Sequence, residues 1–120
     1  MTLGDAQRNF TYDIGKLIEY AYSIDYEFTF GDGYRDPRAF GVQGKPGPYG
    51  RSRSAHKNRL AVDFNLFKDR KWLRNSDDYK KLGDYWKSLD EQNVWGGDFI
   101  DKRGKSRDGN HFSRRHWDIS

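Results

Sequence analysis

Residues 60–67 read LAVDFNLF, a short run in which apolar and polar positions alternate. In an extended chain, one face carries Leu60, Val62, Phe64 and Leu66, and the other carries Ala61, Asp63 and Asn65. This alternation with a period of two predicts a strand that has one face in the core. The strand therefore places a carboxylate, that of Asp63, on the face that points away from the core.

The residues before this strand predict a helix, another strand and a long loop. A stripe at helical spacing, formed by Phe10, Ile14, Leu17, Ile18 and Ala21, predicts a helix from about Asp5 to Ser23. From Asp25 the period changes to two, which predicts a half-buried strand that ends at Gly31-Asp32-Gly33. Residues 34–53 hold all three prolines of the chain and four glycines, so we expect an ordered loop with a functional role.

The residues after the strand predict one more helix and a few short strands. Ser76 is a suitable N-cap, and apolar residues follow it at helical spacing, so we place this helix at about residues 77–89. Short strands are expected from Asn93 onward, together with a Lys/Arg/Gly-rich stretch at residues 102–107. The order of elements favours an α+β fold with a small, largely antiparallel sheet and two main helices.

The composition is that of one folded, basic domain. A chain of 120 residues can build one core, and we expect a single domain over residues 1–120. Only 34% of the residues are hydrophobic, but 17% are aromatic, and each ring can bury on the order of 150–250 Å². The net charge of +4 favours anionic partners, which include nucleic acid and an anionic cell envelope.

The absence of cysteine narrows the search for a metal site to His, Asp and Glu. A catalytic zinc site takes three protein ligands and leaves one position for water. His56 lies at the end of the long loop, which could fold back over the strand and bring His56 to Asp63. Farther along, Gly109 permits a bend between Asp108 and His111, so that one of these two could bind a metal while the other takes a proton.

Two motifs of this chain resemble those of a known family. The stretch SAHKNRLAVD at residues 54–63 resembles the Ser-x-His-(six residues)-Asp motif of the VanY-type D-Ala-D-Ala carboxypeptidases. The stretch DGNHF at residues 108–112 resembles their second motif, which has an acidic residue three positions before the last metal ligand. Within this family, the chain is most similar to the phage endolysins with L-alanyl-D-glutamate peptidase activity. Residues 16–37, 79–89 and 95–99 are also similar to family segments, so the resemblance covers nearly the whole chain.

The resemblance implies a hedgehog/DD-peptidase-like fold and a zinc-dependent hydrolysis of a peptide bond in the peptidoglycan stem, L-Ala-D-Glu in the first place. It also implies the roles of individual residues. In this chain the zinc ligands would be His56, Asp63 and His111, the general base would be Asp108, and Arg35 would be a substrate-binding cation, with Ser54 supporting a ligand or the substrate. Arg35 could instead pair with Asp32 or Asp36, and Ser54 could be an ordinary loop serine.

Two features of this chain depart from the family pattern. Many members have glycine where this chain has Arg59, three residues after the first ligand. The distance between WGGDF and DGNHF is lengthened by residues 100–107, IDKRGKSR, which we expect to form a basic loop beside the site. We assign the third histidine, His116, to the surface.

The expected partner is the stem peptide of peptidoglycan, with a monomeric protein and with neither nucleic acid nor membrane insertion required. The first ten residues, MTLGDAQRNF, lack the features of a secretory signal. We therefore expect synthesis in the host cytoplasm, without a signal peptide, and action at the bacterial cell wall. Three alternatives stay open: a D-Ala-D-Ala carboxypeptidase, a basic protein that binds nucleic acid, and a wall-binding protein without activity.

Overall fold

The computed structural model describes residues 1–31 and 55–116 of the chain. Within these ranges there are two α-helices, α1 (Leu3–Ser23) and α2 (Lys80–Leu89). The described strands are β1 (Glu27–Phe30), β2 (Ala61–Lys68), β3 (Lys71–Leu73), β4 (Asn93–Trp95) and β5 (His111–Arg114). Short 3-10 turns lie at His56–Asn58, Ser76–Tyr79 and Gly96–Asp98.

The strands form one antiparallel sheet in the order β1-β2-β5-β4, with β2 at its centre. β1 pairs with residues 64–67 of β2 along one edge. β5 pairs with residues 61–63 and β3 with residues 66–68, so these two short strands follow each other along the opposite edge of β2. The predicted α+β class, with a small antiparallel sheet and two main helices, is therefore confirmed.

The core lies between the two helices and one face of the sheet. Trp86 of α2 is fully buried and packs edge-on against Phe10 of α1 and Phe112 of β5, with centroid distances of 5.6 and 6.1 Å. Its indole N–H donates to the carbonyl oxygens of Val94 and Ser113, each at 3.0 Å. One large ring thus ties both helices to two strands, which is how a chain with few aliphatic residues closes its core.

The alternating pattern predicted for residues 60–67 holds from Val62 to Leu66, whereas Ala61, predicted on the other face, is also buried. Val62, Phe64 and Leu66 are buried in the core, whereas Asp63 and Asn65 lie half-buried on the other face of β2. The face of β2 that carries the carboxylate is therefore available for a site.

The first predicted strand is shorter than expected. It begins at Glu27 because Asp25 takes a left-handed backbone conformation, with a φ of 67°, and so belongs to the turn after α1. Phe30 is 73% exposed, so the strand end is not half-buried as predicted. Helix α1 begins at Leu3, two residues before the predicted start, because Thr2 and Asp5 form a capping box.

The prediction that Ser76 caps the second helix is wrong. The N-cap of α2 is Tyr79, and the 3-10 turn at Ser76–Tyr79 that precedes α2 is capped by Asn75, which forms a capping box with Asp78. Ser76 instead uses its Oγ to accept a hydrogen bond of 3.0 Å from the N–H of Gly109. The side chain of Ser76, which the local pattern assigned to a helix cap, therefore makes a long-range hydrogen bond instead.

The hairpin between β2 and β3 was not predicted from the sequence. Its turn residues Asp69 and Arg70 have φ values of 52° and 66°, so both take the left-handed conformation. Such two-residue turns usually carry Asn-Gly or Asp-Gly, and Asp-Arg lacks this signal. The predicted loop at residues 34–53 lies outside the described residues. Among the described residues, no helix has the length and apolar character needed to cross a bilayer.

Candidate metal centre

Three elements on the open face of the sheet carry the predicted ligands. His56 begins the 3-10 turn that leads into β2, Asp63 lies in β2, and His111 is the first residue of β5. Asp63 and His111 are direct partners in the antiparallel register, so their side chains leave the sheet on the same face. The strand pairing thus joins two parts of the chain that are 48 residues apart.

The three side chains converge on one point. Nδ1 of His111 lies 3.2 Å from Oδ1 of Asp63, and Nε2 of His56 lies 3.4 Å from the same oxygen. Their donor atoms all lie within 4.8 Å of one another. Zinc bound tetrahedrally at 2.0–2.1 Å places adjacent ligand atoms roughly 3.3–3.4 Å apart, close to the 3.2 and 3.4 Å of the two pairs measured from Asp63.

The chemistry of these donors also fits zinc. Two imidazoles and one carboxylate are a usual ligand set of a catalytic site, and they leave a fourth position for water or substrate. His56 is 3% exposed, so one side of the centre is closed to solvent. The residues present therefore fit the ion that the resemblance implies.

The electrostatics keep Asp63 ionised. Burial raises the pKa of its carboxyl group, but hydrogen bonds and positive charge from His111 and His56 outweigh burial and lower the pKa to about 2. Asp63 is therefore an anion at neutral and mildly acidic pH, as a metal ligand has to be.

The backbone before His111 is held from two sides. The indole N–H of Trp95 donates to the carbonyl oxygen of Gly109 at 2.7 Å, and Ser76 accepts from the Gly109 N–H. A Cβ atom on Gly109 would lie 2.5 Å from the Cα of Ser76, so glycine is required here for close approach. The sequence pattern predicted a bend at Gly109 that only glycine permits. Among the described glycines, however, the positive φ belongs to Gly104, so the need for glycine at position 109 comes from close packing.

Gly96 lies against the same segment. A Cβ atom at this position would meet the carbonyl oxygen of Asp108 at 2.1 Å and the Cβ of His111 at 2.6 Å. The sequence predicted no role for Gly96, although two adjacent glycines after a buried tryptophan are a signal of close backbone approach. Gly96 therefore determines where the last ligand can lie.

The other predicted site residues have different positions. Asp108 is exposed, and its carbonyl oxygen accepts a hydrogen bond of 3.0 Å from the N–H of His111, so the two residues share one turn. Arg35 and Ser54 lie outside the described residues. His116 is half-buried and does not belong to the cluster of three ligands.

Arg59, the first departure from the family pattern, takes a left-handed conformation with φ 58° and ψ 36°. This conformation suits glycine better than a residue with a side chain. The Arg59 N–H donates to the carbonyl oxygen of His56 at 3.3 Å and ends the 3-10 turn that carries the first ligand. Arg59 thus places a Cβ at a backbone position that glycine adopts more easily.

Two solved structures of peptidases have a fold similar to that of this chain. This chain is similar to the L-Ala D-Glu endopeptidase ChiX of Serratia marcescens, with 20% identity and a TM-score of 0.57 over 93% of this chain and 85% of that one. It is also similar to the vancomycin resistance D,D-pentapeptidase VanY of a VanB-type cassette, solved in complex with Zn(II), with 17% identity and a TM-score of 0.52. That match covers 88% of this chain and 70% of VanY.

Comparisons of the sequence itself find no matching family model and no matching curated protein. The likeness is therefore one of fold. It agrees with the DD-peptidase-like fold that the two sequence motifs imply, since an L-Ala D-Glu endopeptidase and a VanY peptidase both share it.

Proposed function

We propose that this chain is a zinc-dependent peptidoglycan peptidase, with residues 1–120 as one catalytic domain, that hydrolyses the L-Ala-D-Glu bond of the stem peptide. The observation that carries the proposal is the convergence of His56, Asp63 and His111, whose donor atoms lie within 4.8 Å of one another. ChiX, which has the same fold, is an L-Ala D-Glu endopeptidase, and VanY was solved with Zn(II).

In this proposal His56, Asp63 and His111 would hold the ion, each through one side-chain atom. When bound there, zinc supplies Lewis acidity for the scissile carbonyl and lets a water molecule ionise near neutral pH. His56 is buried and closes the centre on one side, so the substrate approaches from the other side.

Asp108 is the proposed general base. Two observations support this role: the backbone hydrogen bond puts Asp108 in one turn with His111, and its side chain is exposed and therefore open to water. Asp108 takes the proton of the attacking water and returns it to the leaving amine, and no covalent enzyme intermediate is required. Arg35 and Ser54 are the proposed substrate contacts, and Arg35 would offer a planar pair of donors to a carboxylate or carbonyl group.

The test measures bound zinc and the release of amino groups from purified peptidoglycan. We expect His56→Ala to lose both zinc and cleavage. Asp108→Asn keeps the zinc but lowers kcat by at least about 100-fold, the usual contribution of a general base. The matched controls are His116→Ala, which removes an imidazole outside the cluster, and Asp84→Asn, which neutralises an exposed carboxylate of α2. Wall cleavage that survives both His56→Ala and Asp108→Asn would contradict the proposal.

A D-Ala-D-Ala carboxypeptidase is the second candidate, because the fold is also that of the D,D-pentapeptidase VanY. Mass spectrometry of the digested wall separates the two bonds. Cleavage between L-Ala and D-Glu frees the peptide from the glycan strand, whereas carboxypeptidase activity releases only free D-Ala. In either case we propose that the protein acts at the bacterial cell wall. It would bind the stem peptide and work as a monomer.

A further inference from the structure

A pocket of about 220 Å³ opens on the sheet next to the candidate metal centre. It lies where β3 and β5 follow each other along one edge of β2, and its wall includes Asn65 of β2, Arg74 after β3, and Asn110 before β5. At about 30 Å³ per water molecule, it has room for roughly seven waters. It can thus hold a carboxylate and the atoms around it.

Two guanidinium groups line this pocket, those of Arg74 and Arg107. Arg74 stacks on the ring of Trp72 at 3.9 Å, and no carboxylate among the described residues pairs with it. Arg107 donates from Nε to Oδ2 of Asp101 at 2.9 Å, which leaves its two terminal amino groups for another acceptor. A stacked and a tethered arginine are both oriented before a ligand arrives.

The basic loop is built to hold Arg107 in place. Oδ1 of Asp101 accepts from the backbone N–H groups of Arg103 and Lys105 at 2.8 and 2.9 Å, while Oδ2 takes Arg107. These bonds, led by the one from Lys105, lower the pKa of Asp101. A bridge between Ile100 and Ser106 closes the loop.

The charge around the pocket is unbalanced. None of its lining residues is acidic. It adjoins a larger groove of about 800 Å³ that is also lined by Arg74 and Arg107 and adds Lys80 and Lys105. Two acidic residues line this groove, and one of them, Asp98, pairs with Lys87 at 2.8 Å. The site therefore favours an anion.

The distance between the pocket and the proposed metal equals the length of one or two residues of an extended peptide. Asn65 is two residues after Asp63 on the same face of β2, a distance of roughly 6.6 Å, and Asn110 directly precedes His111. An extended peptide spans about 3.3–3.6 Å per residue. A group in the pocket would therefore belong to the residue beside the scissile bond or to the next one.

We propose that this pocket binds the free α-carboxylate of the substrate residue whose amine is released, through Arg74 and Arg107. The inference rests on the proposed peptidase function and extends it to substrate selection. Both candidate bonds share this chemistry, because D-Glu linked through its γ-carboxyl and a terminal D-Ala each carry a free α-carboxylate. The guanidinium group of arginine can donate two parallel hydrogen bonds to one carboxylate, which the ammonium group of lysine cannot do.

The test uses two synthetic stem peptides that differ only in this carboxylate, free in one and amidated in the other, with all other carboxyl groups amidated. One pair carries the L-Ala-D-Glu bond and a second pair carries D-Ala-D-Ala, so the two sources are distinguished. We expect wild type to prefer the acid by about ten-fold or more in kcat/KM. Arg74→Gln and Arg107→Gln each lower the ratio of acid to amide about ten-fold, and Arg74→Lys lowers it less.

The matched control is Arg103→Gln, which removes the same charge from the same loop but does not line the pocket. Equal losses in Arg103→Gln and Arg107→Gln, or turnover without preference for the acid, would overturn the inference and leave the peptidase function standing. If no peptide is cleaved, the protein is titrated with the acid and amide peptides and followed by NMR, which tests binding to the pocket without the reaction. Acid-selective shifts at the amides of Gly109 and Asn110 that Arg74→Gln abolishes support the pocket without the reaction, and their absence refutes it.

Discussion

At the scale of single residues, the candidate centre depends on glycines that leave room for the ligands. Gly96 is the sharpest case, because a Cβ atom there would lie 2.6 Å from the Cβ of His111 and 3.0 Å from that of Asp108. A ligand and the proposed base would both have to move. This position therefore controls the geometry of the site without contributing a functional group.

We expect Gly96→Ala to lower kcat/KM by about 100-fold, the effect of a displacement of about 1 Å in an active site. Zinc affinity measured by competition with a chelator should fall as well. The matched control is Gly15→Ala on α1, where nothing lies within 4 Å of the new Cβ. That variant should retain activity and gain about 1 kcal/mol of stability from helix propensity. Full activity in Gly96→Ala would show that the backbone near His111 adjusts freely.

At Arg59, by contrast, we expect a substitution to stabilise the protein. Its φ of 58° places an L-residue in the left-handed region, which costs roughly 1 kcal/mol relative to glycine. Arg59→Gly should raise the free energy of unfolding by about this amount, as measured by urea denaturation. Arg59→Ala keeps the Cβ and controls for loss of the side chain. If both variants behave alike, the backbone conformation is not the source of the effect.

At the scale of elements, a buried polar network joins α1, α2 and the strands. Asn93 of β4 donates from its amide to Oδ2 of Asp13 in α1 and to the carbonyl oxygen of Trp86 in α2, both at 3.1 Å. Arg114 of β5 lies beside it and pairs with Asp90 at 3.1 Å. The network forms where the helices meet the edge of the sheet, on the side of β5 away from β2.

Asn93→Ala should therefore destabilise the fold by about 2–3 kcal/mol, because it leaves the buried carboxylate of Asp13 without its amide donor. Urea denaturation measures the change. Asn9→Ala, at an exposed position of α1, is the matched control and should stay within about 0.5 kcal/mol of wild type. A loss in Asn93→Ala no larger than in the control would mean that water replaces the missing donor.

At the scale of the whole protein, the proposed metal would join two stretches of the chain that are far apart in sequence. His56 and Asp63 come from one stretch and His111 from another, so an ion bound by all three cross-links β5 to the turn before β2. An ion that binds the folded state alone stabilises it through mass action. Metal binding and unfolding are thus coupled.

Zinc at 100 times its Kd should stabilise the protein by about 2.7 kcal/mol, which calorimetry would detect as a higher Tm. Asp108→Asn should show the same rise, because Asp108 is not a proposed ligand. His111→Ala should show no rise. An equal rise in His111→Ala would place the ion elsewhere in the protein, and EDTA should return wild type to the lower Tm.

Local sequence was sufficient for much of the fold. The alternation in residues 60–67 predicted β2 and both of its faces, and the apolar stripe of α1 predicted that helix to within two residues of its start. These predictions succeed because the side-chain period of a helix or strand is set by the backbone alone. The choice of His56, Asp63 and His111 required the two motifs, and the roles of Arg35, Ser54 and Asp108 stay predictions.

Tertiary structure decided the rest. The spacing of residues along the chain does not say that Asp63 and His111 become partners in register, since that depends on which strands pair. Likewise, Ser76 does not occupy the expected cap because Gly109 lies within hydrogen-bond distance of it. Arg74 and Arg107 line one pocket because β3 and β5 share one edge of β2. Sequence determines which side chains are offered to each face, whereas long-range contacts determine which of them meet.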